Sequence, residues 1–302
     1  MSRLLTLVNR EIQEYKYGLV YAPWIVGIIL CSIVVLVYLG FAEVKTGQFT
    51  FTSLIYADPD VVAFMKTMDS DTKLEIIRTG LIVLGLPILV VMSFAIVAYS
   101  LSTFYDERKD KSIIFWRSLP VSDANIILSK ILVAVIIAPL IVLPALVGLH
   151  LFSLLSVSIF FYFSNIVSFG WVWEAYSFTD WIRLILGIWV QALWGLPVIA
   201  WLMFAGALFK KPIIGAILPL VSIVVLERVA FSTNFFYSSF MERIKPWPNK
   251  IRIDSEELRF IELPEIASLF STSIFWYGIL FSLILCIAIT YVRSRSEFSS
   301  VE

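Results

Sequence analysis

Long uncharged apolar runs alternate with short polar segments along this chain. The runs extend from Tyr17 to Ala42, Thr79 to Tyr105, Ile131 to Trp173, Leu184 to Phe209, Pro212 to Leu226 and Ile266 to Val292. A helix rises about 1.5 Å per residue, so roughly 20 apolar residues cross a hydrocarbon core about 30 Å thick. The pattern predicts an all-α membrane protein, one domain over residues 1–302, with six transmembrane helices near 18–41, 79–104, 131–156, 184–209, 212–231 and 268–292.

Two runs need interpretation. The run from Ile131 to Trp173 is too long for one helix, and a hairpin of two spans competes with one span followed by a surface segment. The second reading is preferred. Phe160-Phe161-Tyr162-Phe163, Trp171, Trp173 and Trp181 resemble an interfacial aromatic belt, interrupted by Ser164, Asn165, Ser168 and Gly170. The run from Pro212 is short and stops at Glu227-Arg228. This pair is either a snorkelling helix end or an intramembrane gating pair.

Two polar segments carry most of the information. In residues 1–17, Leu4, Leu5, Val8, Ile12 and Tyr15 recur at steps of three and four. Arg10, Glu11, Gln13 and Glu14 fall mostly elsewhere on the wheel. This predicts an amphipathic interfacial helix with its apolar side in lipid. Between the second and third spans, Asp106-Glu107-Arg108-Lys109-Asp110-Lys111 ends a membrane helix. Ile113-Ile114-Phe115-Trp116-Arg117-Ser118-Leu119-Pro120 follows, and Ser122 or Asp123 can cap the next helix, which rises through Lys130. Exposed Phe115 and Trp116 on a short helix need a partner or the lipid surface.

Composition agrees with this layout. Hydrophobic residues make up 60% of the 302 residues, charged residues 15%, and the mean hydropathy is +0.90. Soluble domains run near 45–50% apolar. Formal net charge is zero, which speaks against nucleic acid as a partner. Cys31 and Cys286 lie within apolar runs, so neither a disulfide framework nor a CxxC site is expected. The first apolar run is longer than a signal-peptide core, so it reads as a retained helix.

Basic residues set the expected orientation. With the N-terminus in the cytoplasm, the inner segments (1–16, 106–130, 210–211 and 293–302) hold 12 of the 23 basic residues in about 53 positions. Lys210-Lys211 is the clearest marker. Both termini are then cytoplasmic in a multi-pass inner-membrane protein.

With Glu107-Arg108 at the end of the second span and Ser118-Leu119-Pro120 after it, the chain resembles permease subunits of the ABC-2 family of ATP-binding-cassette transporters, including the layout of an N-terminal interfacial helix and six spans. The outer segment from Glu43 to Arg78 departs from the family pattern in size. The resemblance implies one half of a homo- or heterodimeric pathway in a bacterial inner membrane. It implies a separate ATP-binding subunit, which holds ATP and Mg and docks on a cytoplasmic coupling helix at about Lys111 to Leu119. The contact residues would be Glu107, Arg108, Lys111, Phe115, Trp116, Arg117, Leu119 and Pro120. It also implies export, of drugs, antimicrobial peptides, lipids or glycans.

The chain has no GxxxxGK[ST] phosphate loop, HExxH or GxSxG motif. Its one histidine, His150, lies among Leu149, Leu151 and Phe152, and reads as packed. Glu174 and Asp180 read as exposed loop charges rather than a carboxylate pair. No catalytic residue, metal site or cofactor of its own is therefore expected. Pro87, Pro139, Pro144, Pro197 and Pro219 fall inside the apolar runs, as packing kinks or as hinges. The alternative functions are an ion-coupled secondary transporter, which needs ionisable residues near mid-bilayer, an intramembrane enzyme and a non-transporting membrane sensor.

Overall fold

A computed structural model describes residues 3–39, 44–46, 49–51, 59–112, 121–244 and 263–295. Regular structure among these is helical apart from one antiparallel ribbon, β1 (Val44–Thr46) against β2 (Phe49–Phe51), with Val44 opposite Phe51. The helices are α1 (Arg3–Glu14), α2 (Ala22–Tyr38), α3 (Pro59–Thr67), α4 (Ser70–Lys109), α5 (Asp123–Leu132), α6 (Ala138–Phe163), α7 (Phe178–Trp194), α8 (Leu196–Leu208), α9 (Pro212–Phe231), α10 (Phe235–Ile244), α11 (Leu263–Ser271) and α12 (Ser273–Arg295).

Among the described residues, five rods are long and apolar enough to cross a bilayer: Tyr17–Val37, Ser70–Lys109, Asp123–Phe163, Pro212–Phe231 and Ser273–Arg295. α7 and α8 make a sixth if the bent pair counts as one span. Their outward faces are apolar; Ile213, Ile217, Leu218 and Val225 of α9 and Leu280, Leu283 and Ile287 of α12 are all exposed. This is compatible with a multi-pass membrane protein, because such faces find their solvent in acyl chains.

Local chemistry explains the ends and breaks. Asp69 caps α4 by accepting from the Asp71 amide at 3.1 Å, and Arg108 and Lys109 occupy its last turn. Ser122 caps α5, accepting from the Asn125 amide, while Asp123 stands in the first turn. Two π-helical turns, Tyr17–Tyr21 and Val133–Ile137, immediately precede Ala22-Pro23 and Ala138-Pro139. Proline has no N–H to complete the ladder, and the widened turn lets the Ala22 and Ala138 amides bond the carbonyls of Tyr17 and Val133.

The run from Leu184 to Phe209 is not one straight helix. Ser177 donates its amide and hydroxyl to the Asp180 carboxylate, both at 2.9 Å, and this box starts α7 at Phe178. Asp180 is buried there and capping a helix, not an exposed loop charge. The rod bends by 49° at Gly195, two residues before Pro197. The Gly195 amide closes α7 on the Gln191 carbonyl, and Pro197 offers no donor to continue it.

The run from Ile131 to Trp173 forms one continuous rod with α5 as far as Phe163, then a turn and a 3-10 helix, Trp171–Ala175. The aromatic segment divides between two environments. Tyr162 and Phe163 are exposed, whereas Phe160, Phe161, Val172, Ala175 and Tyr176 form a core with Ile77, Leu81 and Leu154 at the far ends of α4 and α6. Arg78 ties this cap to α4 by donating to the Ala175 carbonyl at 3.1 Å.

The main core gathers Ile88, Met92 and Tyr99 of α4, Val142, Leu146 and Leu149 of α6, Met203 of α8 and Ile289 of α12. α4 approaches α8 at Gly206, where a Cβ would lie 2.4 Å from the Leu101 carbonyl oxygen. Only glycine permits this separation without a backbone shift.

Candidate functional site

Four charged side chains lie buried together where α1, α4, α5 and α12 converge. Glu11 and Lys130 are 1% exposed, Glu107 2% and Arg293 3%. Lys130 Nζ sits 2.8 Å from Glu11 Oε1 and 3.0 Å from Glu107 Oε1. The other oxygen of Glu107 accepts from Arg293 at 2.5 Å, and Arg293 Nε donates to Asp123 Oδ1 at 3.1 Å. Two buried acids thus face two buried bases, and charge balances within the cluster.

Hydroxyls complete it. Tyr99 and Thr103 both donate to Glu11 Oε2 at 3.1 Å, and the Thr103 hydroxyl accepts from Lys130 at 2.7 Å. Lys130 and Arg293 flank the Phe104 ring, 5.1 and 5.3 Å from its centroid. Arg10 lies at the rim, 3.9 Å from Glu107 and 3.1 Å from Glu14. Burial raises the Glu14 carboxyl above the usual carboxylate range, against the opposing field of Arg10. Removing one partner from such a cluster leaves an uncompensated buried charge, at a cost of about 3–5 kcal/mol.

α1 does not rest its apolar side on lipid as its periodicity predicts. Val8 is buried in the main core with Ile12 and Tyr15 against it, and Leu5 points outward. Tyr15 donates to Asp106 at 3.1 Å and meets Tyr99 edge-on at 4.9 Å. The inward face also carries Glu11, and Lys130 is the reason a carboxylate is tolerated there.

Arg108 turns away from its neighbour Glu107. Its guanidinium donates to the carbonyls of Leu208, at 3.1 Å, and Phe209. These carbonyls end α8 and lack helical donors, so Arg108 caps α8 and favours its dipole. The adjacent pair therefore joins α4 to four other helices: Glu107 to α1, α5 and α12, and Arg108 to α8.

Lys111 is exposed with φ 54°, where α4 has ended. Phe115, Trp116, Arg117, Leu119 and Pro120 lie outside the described residues. Glu227 and Arg228 are not part of the cluster. The Glu227 carboxylate accepts from the Thr233 hydroxyl and from the Phe235 and Phe236 amides, which anchors the start of α10, and Arg228 is exposed.

A second polar joint secures the bend between α7 and α8. Arg243 of α10 donates to the carbonyls of Trp194, at 3.2 Å, and Ile274, and stacks 4.0 Å from the Trp194 ring. The Trp194 indole donates to the Glu242 carbonyl at 2.9 Å. A Cβ on Gly278 would lie 2.6 Å from the guanidinium, so this glycine makes room for it.

The sequence pattern leads to Glu107 and Arg108 but not to the burial of Glu107 with Glu11, Lys130 and Arg293, nor to the contact between Arg293 and Asp123. In the pattern Glu11 falls on the polar side of an amphipathic helix, Asp123 reads as a cap, and Lys130 and Arg293 border apolar runs. The available signal is charge balance: acids and bases both border the runs that end on the predicted inner side. No family model matches the chain, and neither a curated protein nor a solved structure matches it.

Proposed function

We propose that this chain is the membrane-spanning permease subunit of an ABC transporter, an exporter of the ABC-2 kind, and that the buried charge cluster couples an external ATPase to the helix bundle. One observation carries the reading. The proposed coupling helix, at about Lys111 to Leu119, is bracketed by Glu107 and Asp123, and both bind Arg293 of α12. A pull on that segment bears on α4 and α5 at their ends, and through one guanidinium on α12.

Supporting this are the Glu107-Arg108 and Ser118-Leu119-Pro120 motifs, the apolar rods, and α1 held on the same joint through Glu11. In this reading the cluster end faces the cytoplasm of a bacterial cell, two permease subunits form the pathway across the inner membrane, and the ATP-binding partner supplies ATP and Mg chemistry. The bend at Gly195 and the proline-linked π turns are the compliant points.

The test is purification of the full chain in mild detergent from its native membrane. An ABC ATP-binding subunit co-purifies, and Phe115→Ala with Trp116→Ala releases it while the permease remains folded. Absence of any associated ATPase contradicts the reading. Burial of four ionisable groups also raises ion-coupled transport as a second reading, which requires proton- or sodium-dependent uptake without ATP. Internal pairing of the charges favours the mechanical role.

A further inference from the structure

A second feature lies away from the charge cluster, between α2 and α6. An open groove of about 500 Å³ runs there, walled by Trp24, Ile28, Val35 and Leu36 on one side and Pro144 and Phe152 on the other. Its floor is made by small residues, including Gly27 and Gly148. The hydroxyl of Ser32, also in the wall, is spent on the Ile28 carbonyl at 2.8 Å, so the lining offers an occupant little hydrogen bonding.

From Trp24 to Leu36 the groove covers twelve residues of helix, about 18 Å. This is close to the depth of one leaflet, half of a hydrocarbon core about 30 Å thick. Below Trp24 the exposed stripe continues through Tyr21 and Tyr17, whose rings meet edge-on at 5.5 Å. Tyrosine and tryptophan at one end of an apolar rod mark the headgroup level. Lys16 lies just beyond, with its ammonium 5.4 Å from the Tyr17 ring. The nearest acid in sequence, Glu14, is held by Arg10 at 3.1 Å, which leaves the Lys16 ammonium to favour a negative charge at this level.

We infer that the groove binds one anionic glycerophospholipid, with an acyl chain between α2 and α6 and the phosphate at Lys16. The length of the groove selects a chain, its apolar lining excludes a polar occupant, and the lysine at the aromatic level selects the headgroup charge. The inference depends on membrane insertion but not on an ATPase partner.

Gly148→Leu tests the chain site. A Cβ at Gly148 meets nothing within 4 Å, so the added side chain enters the groove without displacing α6. Gly80→Leu is the control, because Gly80 also faces open space, on α4. Each full-length protein is equilibrated in nanodiscs of equal phosphatidylglycerol and phosphatidylcholine, extracted in mild detergent, and assayed for retained lipid by native mass spectrometry. Wild type and Gly80→Leu retain phosphatidylglycerol, and Gly148→Leu retains about tenfold less. Lys16→Gln keeps a bound lipid but loses a preference for the anionic headgroup of about fivefold. Equal retention by wild type and Gly148→Leu overturns the groove as the site, as does a non-lipid occupant. Retention without headgroup preference in wild type overturns the role of Lys16.

Discussion

Arg293, in the last turn of α12, donates to Glu107, in the last turn of α4, across 186 positions of the chain. The same guanidinium reaches Asp123 at the start of α5. One side chain thus spans both ends of the segment that precedes the third rod, and this makes the cluster a joint rather than a set of surface pairs.

Breaking that joint from one side should cost more than removing both partners. Arg293→Met leaves Glu107 with Lys130 and the rim Arg10 but without its partner on α12, and destabilises the fold by about 3–5 kcal/mol; Glu107→Gln on top of it recovers part of the loss. Equilibrium unfolding of the detergent-solubilised single and double variants measures this. Additive losses would show that the two side chains act independently.

Arg108→Ala uncaps α8. The expected loss is about 1.5–3 kcal/mol, the range for hydrogen bonds that involve a charged group. Hydrogen exchange at the Ala205 to Phe209 amides should accelerate while α6 is unchanged. Arg108→Lys should rescue only partly, because one ammonium cannot reproduce the fork that reaches two carbonyls.

Gly206→Leu forces α4 and α8 apart, since even a Cβ would stand 2.4 Å from a backbone oxygen. Overpacking of this kind costs about 1–3 kcal/mol or more. A lower melting temperature than wild type, with Gly80→Leu unchanged, checks the close approach.

Glu14 gives a pH-dependent outcome. Burial raises its carboxyl above the usual range, so the folded state favours the protonated form. The stability this confers is present at low pH and lost as pH rises through the raised value. Glu14→Gln should therefore be more stable than wild type at pH 7, with the difference shrinking as pH falls toward 4. Melting temperatures across that range decide it; a difference that grows on acidification would contradict the assignment.

The rods were legible because an uncharged run of 20 or more residues has few structural outcomes. Ser122 and the stop after Lys109 were legible as caps and helix-end charges. The bend at Gly195 was not, because Trp194-Gly195-Leu196-Pro197 remains apolar and reads as continuous hydropathy. Asp180 looked like a loop charge because its capping partners are the amide and hydroxyl of Ser177, three residues before it, a contact the pattern does not display. The partners of Glu107 were hidden for a different reason. Periodicity reports which face of α1 is apolar, but not that Glu11 on its flank meets Lys130 at a distance of 119 positions. Such pairing is a property of the assembled bundle.

The most direct test of the coupling account is ATP hydrolysis by the complex retained on this chain in nanodiscs, compared between wild type and Glu107→Gln at equal subunit ratio. The account predicts that the ATP-binding subunit still assembles with Glu107→Gln while permease-dependent control of its hydrolysis rate is lost. An unchanged rate and unchanged control in the variant, or no ATPase activity accompanying the wild-type chain, would contradict it.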